Sequence, residues 1–234
     1  MVNNNFFKEE KKMIDLTPRL RCITDFVNAE VAADIGCDHA YVAITLIDEN
    51  RAKKVIACDI KEGPLDIARE NIEKYNKSSC IETRIGSGLS PLLKNEADTI
   101  IIAGMGGELI ENILREDIEK AKTARLILQP MNSQETLRKW LIENGFKIEK
   151  EDIATEGFKV YNIMSAAKGK MQPFKTEIEY HIPLYLKDNK NYKPLFEKKK
   201  REFEKVIKGL ERSKEPDTEK LKKYKMLYNQ LMNM

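Results

Sequence analysis

The sequence has no apolar run that approaches the roughly 18 residues needed to span a membrane. Its first residues, MVNNNFFKEEKKMIDL, carry charges where a signal peptide needs an uninterrupted apolar segment. Both absences argue against a secreted or membrane-embedded protein, and we therefore expect a cytoplasmic location. At 234 residues, the chain is long enough for one good core and a small additional unit.

Cysteine and histidine are scarce as well. The four cysteines, Cys22, Cys37, Cys58 and Cys80, form no C-x-x-C pair, and only two histidines are present. This spacing disfavours both a zinc site and a disulfide framework. We expect no bound metal, and we expect Cys37 and Cys58, which fall at strand ends, to pack as small buried side chains.

Motifs for binding pyrophosphate are absent too. The sequence contains neither G-x-G-x-x-G nor a Walker loop, the two motifs that offer exposed backbone N–H groups to a nucleotide. This absence counts against an NAD-linked oxidoreductase.

Positive charge is unevenly distributed. From Lys168 to the C-terminus there are 18 Lys and Arg against 10 Asp and Glu, a balance of +8, whereas the preceding residues have a balance of −5. A basic tail on a mildly acidic body is typical of a protein that binds a polyanion. A solvated helical hairpin with solubilising lysines explains the same pattern equally well.

Short apolar runs alternate with amphipathic segments between Val31 and about Ala167. The helix-like segments span 40–49, 63–74, 107–115 and 133–144. The strand-length runs, rich in Ile, Val and Leu, are VAADI, KKVIACDI, CIETRI, DTIIIAGM and RLILQP. This alternation predicts an α/β fold in which helices cover both faces of a parallel sheet.

Two further strand candidates, FKIEKEDIAT and KVYNIMSAA, follow each other with only a short turn between them. They predict an antiparallel hairpin at the sheet edge. Five parallel strands and such a hairpin outline the Rossmann-like, seven-stranded, mostly parallel sheet of class I S-adenosylmethionine-dependent methyltransferases. An ordinary dinucleotide-binding fold would add another parallel unit instead.

After about Gly169 the composition shifts to Lys, Glu and Tyr. Apolar residues repeat at three- and four-residue spacings on both sides of Glu215, Pro216 and Asp217. This pattern predicts a C-terminal α-helical coiled-coil hairpin. We therefore divide the chain into a Rossmann-like methyltransferase domain, residues 1–167, and a basic helical domain, residues 168–234, whose charge suits a polyanion.

Ligands bind open parallel sheets beyond the carboxyl ends of the strands. The first strand ends in DIGCDH, where Gly36 permits a tight turn and a close ligand approach. An acidic loop with one glycine repels a pyrophosphate but suits a cation, so Asp34 is a candidate for binding the amino-acid part of S-adenosylmethionine. Capping of the following helix is the alternative role for Asp34 or Asp38.

The second strand ends in Asp59, where an acid can accept both hydroxyl groups of a ribose. An NAD enzyme uses the same device. Asp59 therefore indicates an adenosine-type cofactor without identifying which one.

The remaining strands end in glycines and amides. Gly86 and Gly88 follow the third strand, in a turn against which an adenine ring could lie flat. The fourth strand ends in three glycines around Met105, a run that permits close backbone approach at the start of a helix. Gln129 and Asn132 follow the fifth strand and carry amides that can read the edges of a base.

These motifs carry a specific resemblance. ADIGCDHAYV, GPLDIA, RIGSGL, IIIAGMGGELI, RLILQPMN and RKWL occur in the order found in the TrmK family. The sequence thus resembles bacterial tRNA (adenine-N1)-methyltransferases that act on position 22, in the D-arm. The resemblance spans nearly the whole chain and implies S-adenosylmethionine as cofactor and tRNA as partner; we expect a monomer. The chain departs from the family pattern at Ala43, commonly proline, at Ser87, commonly aspartate, and at Met131.

The resemblance and the strand-end pattern together give the candidate site. Asp38 and His39 are the candidates for catalysis, since methylation at N1 makes the adenine cationic and a nearby carboxylate stabilises that charge. The predicted cofactor contacts are Asp34, Gly36, Cys37, Asp59, Ile60, Gly86, Ser87, Gly88, Ala103, Gly104 and Met105. The predicted tRNA contacts are Arg19, Tyr41, Gly106, Gly107, Gln129, Asn132, Lys198, Lys199 and Arg201.

Two other functions stay open on the sequence alone. Ser87 is compatible with a non-catalytic RNA-binding module on a degenerate methyltransferase fold. Asp59 is compatible with an NAD-linked Rossmann enzyme, although the acidic first loop disfavours one.

Overall fold

A computed structural model of the protein describes residues 14–215 and 217–234. The strands in this part of the chain are β1 (Ala29–Ile35), β2 (Ala52–Asp59), β3 (Ile81–Ile85), β4 (Thr99–Met105), β5 (Arg125–Pro130), β6 (Phe146–Glu156) and β7 (Lys159–Lys168). The α-helices are α1 (Pro18–Asp25), α2 (Tyr41–Asp48), α3 (Glu62–Lys74), α4 (Gly107–Glu116), α5 (Ile118–Ala121), α6 (Gln134–Glu143), α7 (Glu177–His181), α8 (Tyr192–Glu211) and α9 (Thr218–Met232). A 3-10 turn spans Leu184–Leu186.

The strands form one sheet in the order β3-β2-β1-β4-β5-β7-β6. The first five strands pair in parallel, and β7 runs antiparallel to both β5 and β6. The strand order reverses between β1 and β4, so the loops that follow these two strands diverge to opposite faces of the sheet. A crevice opens at their carboxyl ends, which is where such sheets bind ligands.

Each face of the sheet has its own apolar core. On one face, Ile102 packs with Leu114 of α4 and Leu141 of α6. On the other, Ile101 packs with Ile44 of α2, in a cluster that also includes side chains of α1 and α3. Consecutive isoleucines of β4 are therefore buried on opposite sides, which explains why the central strands read as continuous apolar runs.

The helical hairpin α8–α9 packs against the antiparallel edge of the sheet. Phe203 of α8 and Leu227 of α9 share a third apolar cluster with Ile153 of β6 and Val160 of β7. The hairpin thus rests on two strands of the sheet through an apolar interface.

A buried ion pair fixes the segment that leads into the hairpin. Arg138 of α6 is fully buried and forms a forked pair with Glu151 of β6, with a shortest N–O distance of 2.7 Å. Its Nη1 also donates to the carbonyl oxygen of Tyr180 in α7 at 2.6 Å. Removing one partner of such a pair typically costs about 3–5 kcal/mol, because the other charge is left buried and unpaired.

The predicted α/β architecture, including the antiparallel hairpin at the sheet edge, is confirmed. The C-terminal helical hairpin is present, and its coiled-coil supercoiling stays a prediction. The sequence pattern missed the short helices α1, α5 and α7. Two predictions concern residues outside the described part of the chain. One is the break between the two hairpin helices at Pro216, and the other is the lack of a signal peptide in residues 1–13. None of the helices that the structure describes is both long and apolar enough to cross a membrane.

Candidate active site

A cleft of about 440 Å³ opens at the carboxyl ends of β1, β2 and β4, at the point where the strand order reverses. Its lining consists of Arg19, Leu20, Asp34, Gly36, Cys37, Asp38, His39, Tyr41, Val42, Asp59, Ala103, Gly104 and Met105. Eleven of these residues belong to the candidate site predicted from the sequence. Leu20 and Val42 were missed, because an apolar residue on a helix carries no sequence signal that separates a cleft wall from a core.

The loop after β1 has an unusual backbone. Gly36, Asp38 and Ala40 all have positive φ angles, of +76°, +46° and +58°. Two of these residues carry a Cβ and therefore store strain, which is typical of functional loops. The N–H groups of Gly36 and Cys37 both donate to the carbonyl oxygen of Cys58, at 2.8 and 3.0 Å, so the loop is fixed to the end of β2.

Gly36 is required by its neighbours as well as by its φ angle. A Cβ at this position would lie 2.4 Å from Cε of Met105, in the loop after β4. Glycine thus allows the loops on the two sides of the crevice to touch. Cys37 is buried, and its burial raises the pKa of the thiol, so the side chain packs in its neutral form.

Asp34 and Asp59 give the inner wall of the cleft its negative charge. Asp34 is 5% exposed, and none of the described residues donates a hydrogen bond to its carboxylate. Burial and, to a smaller extent, repulsion from Asp59 raise the pKa of Asp34 to about 7. Asp59 is partly exposed and accepts the backbone N–H of Lys61 at 3.0 Å. A cation that enters this cleft meets a carboxylate that lacks a partner.

Asp38, His39 and Tyr41 form the outer part of the cleft. The Asp38 side chain is 70% exposed, and its Oδ2 lies 3.6 Å from Nε2 of His39. The rings of His39 and Tyr41 stack, with centroids 5.5 Å apart and 23° between their planes. Nδ2 of Asn71 in α3 donates to the carbonyl oxygen of His39 at 3.1 Å, which attaches the loop to α3. The result is an exposed aromatic platform beside a carboxylate.

Arg19 reaches the cleft from α1. Its Nη1 donates to Oε1 of Gln129 at 2.8 Å, and its guanidinium lies 5.6 Å from the ring centre of Tyr161. The backbone N–H of Arg19 donates to Glu156 at 2.8 Å, so α1 is fixed to the end of β6. Among the described residues, the other guanidinium N–H groups of Arg19 have no hydrogen-bond partner, which leaves them available to a ligand.

Gln129 differs from the expectation that it reads a base edge. The residue is fully buried, and its Oε1 accepts from Arg19 and from the N–H of Gly104 at 3.2 Å. Its Nε2 donates to the carbonyl oxygen of Pro130. Because the amide is satisfied by the protein, Gln129 organises the cleft wall and does not face tRNA. Asn132 is exposed beside Gly106 and is able to make such a contact.

Gly107 differs from its predicted tRNA contact as well. It is buried, its N–H donates to the carbonyl oxygen of Asn132 at 3.0 Å, and an added Cβ would lie 2.4 Å from the carbonyl oxygen of Ser133. Glycine is needed there because α4 and the loop after β5 pack backbone to backbone.

Four predicted cofactor contacts lie beside the cleft without lining it. Gly86, Ser87 and Gly88 form the loop after β3, and the N–H of Gly86 donates to the carbonyl oxygen of Asp59 at 2.9 Å. Ile60 follows Asp59 and is 63% exposed. The loop after β3 therefore forms an open surface, here called the shelf, next to Asp59, the candidate for binding the ribose. Asp59 and Ser87 face the same end of β2, and their cofactor contacts stay predictions.

The three predicted tRNA contacts of α8 have different environments. Arg201 is exposed, as expected for a phosphate contact. Lys198 is half buried and donates to the carbonyl oxygen of Val160 at 2.8 Å, and burial lowers its pKa. Lys199 is 4% exposed and lies between Gln134 and Glu202, at 3.2 and 3.0 Å. The expectation of a solvent-facing Lys199 therefore differs from the structure, because its side chain points into the interface with α6.

Metal binding finds no support in residues 14–215 and 217–234. No group of three or more His, Cys, Asp or Glu side chains in this part of the chain is arranged to hold an ion.

Comparisons with known proteins agree with this geometry. A family model for the methyltransferase domain matches residues 16–164. The sequence is 38% identical over 158 residues to the tRNA (adenine(22)-N(1))-methyltransferase of Bacillus subtilis (strain 168), an alignment that covers 67% of this chain and 66% of that enzyme.

Two solved structures match over nearly their whole length. The structure of the B. subtilis m1A22 tRNA methyltransferase TrmK is similar with a TM-score of 0.83 and 29% identity, covering 94% of this chain and 98% of that one. The structure of M. capricolum TrmK in complex with the cofactor product S-adenosylhomocysteine has a TM-score of 0.80 and 28% identity, covering 94% and 97%. Because each match covers 94% of this chain, both extend beyond residue 164, where the family model ends, and into the C-terminal hairpin.

Proposed function

Because the chain belongs to the TrmK family of S-adenosylmethionine-dependent methyltransferases, we propose that it methylates N1 of adenine 22 in the D-arm of tRNA. The proposal includes a monomeric state. It also includes a cytoplasmic location, because that is where a tRNA substrate is found.

The observation that carries the proposal is the state of Asp34. A buried carboxylate without a hydrogen-bond donor costs free energy unless a ligand compensates it. S-adenosylmethionine has an ammonium and a sulfonium group, and it supplies the methyl group when bound. We assign the ammonium to Asp34 and the ribose hydroxyls to Asp59, because both carboxylates line the cleft. This charge pattern suits the proposed cofactor and repels a pyrophosphate, which distinguishes it from an NAD site.

Asp38 is the residue to which we assign stabilisation of the product charge. The N1 lone pair of adenine is available at neutral pH, so the reaction needs no strong base, and catalysis comes from positioning and electrostatics. Asp38 is held in a strained conformation at the open end of the cleft, with its carboxylate exposed. Methylation leaves a positive charge on the adenine ring, and Asp38 lowers the free energy of that charge as it develops. We assign to His39, whose Nε2 lies 3.6 Å from this carboxylate, the role of orienting it when the substrate is bound.

The stacked rings of His39 and Tyr41 suit a base that has left its stack. N1 lies on the pairing edge, so adenine 22 must be extruded before it reacts. An aromatic platform recovers part of the lost stacking energy, about 1–3 kcal/mol per base. Tyr41 is 37% exposed and lines the cleft, so its ring is accessible to the base.

Contacts to tRNA phosphates come from two regions. Arg19 keeps unsatisfied N–H donors at the cleft, where it binds the phosphate next to the target base. Lys200 and Arg201 on α8 form no ion pair among the described residues and bind phosphates farther along the tRNA. Lys198 contributes less, since its ammonium already bonds a carbonyl oxygen. Such contacts give affinity and a steep dependence on salt but no sequence readout.

The direct test is mass mapping of nucleosides after incubation with S-adenosylmethionine and an unmodified tRNA. We expect one methyl group, on N1 of adenine 22, and none on a matched tRNA with guanine at that position. Methylation at another position would contradict the proposed site. Calorimetry with S-adenosylmethionine and with NAD separates the alternatives: heat with NAD alone would indicate an oxidoreductase, and no heat with either would indicate a non-catalytic RNA-binding module.

A further inference from the structure

A continuous chain of hydrogen bonds connects α8 of the C-terminal hairpin with the proposed binding cleft for the methyl donor, here called the donor cleft. Nζ of Lys199 donates to Oε1 of Gln134 at 3.2 Å, and Nε2 of Gln134 donates to the carbonyl oxygen of Pro130 at 3.4 Å. Nε2 of Gln129 donates to the same carbonyl oxygen at 3.1 Å. Oε1 of Gln129 then accepts from Arg19 and from Gly104 at the cleft wall, at 2.8 and 3.2 Å.

The chemistry of the end groups fixes the direction of every bond in this chain. An ammonium only donates, so the atom of Gln134 that faces Lys199 must be the amide oxygen. A backbone carbonyl only accepts, so the atoms of Gln134 and Gln129 that face Pro130 must be nitrogens. The guanidinium of Arg19 only donates, which leaves the oxygen of Gln129 for it. Neither glutamine can rotate its amide by 180° without losing a partner on each side.

Burial makes this order energetically important. Lys199, Gln134 and Gln129 are 4%, 3% and 0% exposed, so water does not replace a lost bond to any of them. An unsatisfied buried polar group costs about 1–3 kcal/mol. Glu202 is the other partner of Lys199, on the same helix. The amide of Gln134 is thus the hydrogen-bonded link between the Lys199 ammonium and the end of β5. The charge of Lys199 also acts on Glu135 of α6 and His181 of α7.

We propose that Lys199 is a positioning residue for methyl transfer: through Gln134, Pro130 and Gln129, it fixes the guanidinium of Arg19 and the Gly104 loop at the cleft wall. The inference rests on the proposed function for its effect on turnover. In this inference, a buried lysine of the C-terminal hairpin helps to position residues of the donor cleft. A long arginine side chain has large rotamer freedom, and Gln129 is its only side-chain hydrogen-bond partner among the described residues.

Two variants break the chain at different bonds. Lys199→Met removes the ammonium and keeps an unbranched side chain. Gln134→Glu keeps an acceptor for Lys199 and adds a favourable charge, but it cannot donate to Pro130 when ionised. Lys77→Met is the matched control, since Lys77 is a poorly exposed lysine that pairs with Asp48 at 2.6 Å and takes no part in the chain.

The first readout is steady-state kinetics with saturating S-adenosylmethionine. We expect kcat to fall about tenfold in Lys199→Met and in Gln134→Glu, with KM for tRNA within about twofold of wild type, because misplacement of about 1 Å can reduce turnover this much or more. Lys199→Arg keeps a donor and should recover most of the lost kcat. A merely structural role of Gln134 predicts instead that Gln134→Glu, which retains the bond to Lys199, keeps wild-type kcat.

The second readout is independent of activity. Hydrogen exchange of the Gly104 amide, which donates to Gln129, should become at least about fivefold faster in Lys199→Met and Gln134→Glu and stay unchanged in Lys77→Met. Unchanged exchange in both chain variants would overturn the inference even if the wild-type enzyme had no activity on tRNA. A raised KM with unchanged kcat in Lys199→Met would also overturn it, because that result indicates a direct phosphate contact. A wild-type protein that leaves adenine 22 unmethylated would refute the proposed function instead.

Discussion

The charged residues of the donor cleft and of the C-terminal hairpin differ in their exposure to solvent. In the cleft, Asp34 is buried and unpaired, at a position that the backbone of β1 fixes. On the hairpin, Arg201 is exposed, and its charge costs nothing in water. A costly charge is retained only where a ligand compensates it, whereas a surface charge can shift along a helix with little effect. We therefore expect single residues to determine most of the cofactor affinity and turnover in the cleft. On the hairpin, we expect tRNA affinity to be the sum of many small contributions.

Asp38→Ala should have the largest effect on the cleft. We expect methyl transfer to fall about 10³-fold, comparable to the loss of one preorganised electrostatic contact in other enzymes, with tRNA affinity nearly unchanged. Single-turnover kinetics and a filter-binding assay measure the two quantities. Asp66→Ala, at an exposed acid of α3 that pairs with Arg69, is the matched control and should keep full activity. Loss of tRNA binding in parallel with turnover would show that Asp38 acts on the substrate and not on the charge of the product.

Asp34→Asn should weaken binding of S-adenosylmethionine by about 100-fold, an effect of roughly 2.7 kcal/mol. The raised pKa of Asp34, about 7, adds a pH dependence. As the pH falls through 7, the carboxyl takes up a proton and loses its attraction for the cofactor. Between about pH 7.5 and pH 6, wild-type affinity should therefore fall about tenfold, whereas affinity of the variant should stay level. Calorimetry at several pH values gives both profiles.

Asp34→Asn also tests whether the charge of Asp34 lowers the free energy of unfolding when no ligand is bound. The pKa of Asp34 is higher in the folded than in the unfolded chain, so its contribution to the free energy of unfolding is lost as the pH rises through 7. At about pH 8, ligand-free Asp34→Asn should therefore melt at a higher temperature than wild type, and this advantage should shrink as the pH falls below 7 and vanish only below about pH 4, where the carboxyl is protonated in the unfolded chain as well. Equal melting temperatures at both pH values would indicate that the carboxylate has a partner in the free protein.

The sequence predicts the cleft better than the hairpin, for a physical reason. Residues at strand ends occupy positions that the sheet topology fixes, so Asp34, Gly36 and Asp59 meet once the strand order is known. A run of four cations on a helix, 198–201, spans more than a full turn, so it must include one residue that faces inward. The apolar spacing of α8 identifies this residue as Lys199, which lies four residues after Leu195 and four before Phe203. A prediction made from the charges alone misses it.

Gln129 and Gly107 show the same limit within the cleft. Gln129 lies near the end of β5, and Gly107 begins α4 just after β4, but position along the chain does not determine whether a residue faces solvent or the neighbouring loop. The close approach of the Gly107 and Ser133 backbones and the bond between Gln129 and Arg19 are contacts across the sheet rim. Such contacts leave no periodic signal in the sequence.

Charge reversal on the hairpin should have a moderate effect of the opposite kind. In Lys200→Glu/Arg201→Glu, we expect affinity for tRNA to fall about tenfold at 0.15 M salt and its dependence on salt to become shallower, while binding of S-adenosylmethionine stays unchanged. Lys53→Glu/Lys54→Glu changes the charge equally at the amino end of β2, the edge opposite the cleft, and serves as the control. Equal losses in both variants would mean that net charge, and not the hairpin surface, attracts the tRNA.

The smallest expected effect is a gain in the cleft. Ser87 is exposed in the loop after β3, and the Gly86 N–H joins this loop to the end of the strand that carries Asp59. An aspartate here would place a hydrogen-bond acceptor at the shelf where the adenine of the cofactor is proposed to lie. Since the position is exposed, solvent limits the gain, and Ser87→Asp should tighten S-adenosylmethionine binding by only about threefold, well under 1 kcal/mol. Calorimetry resolves this difference, with Ser90→Asp in the same loop as the control. A loss of affinity would show that a third carboxylate near Asp34 and Asp59 costs more by repulsion than the new hydrogen bond contributes, and that the limit on negative charge in the cleft has already been reached.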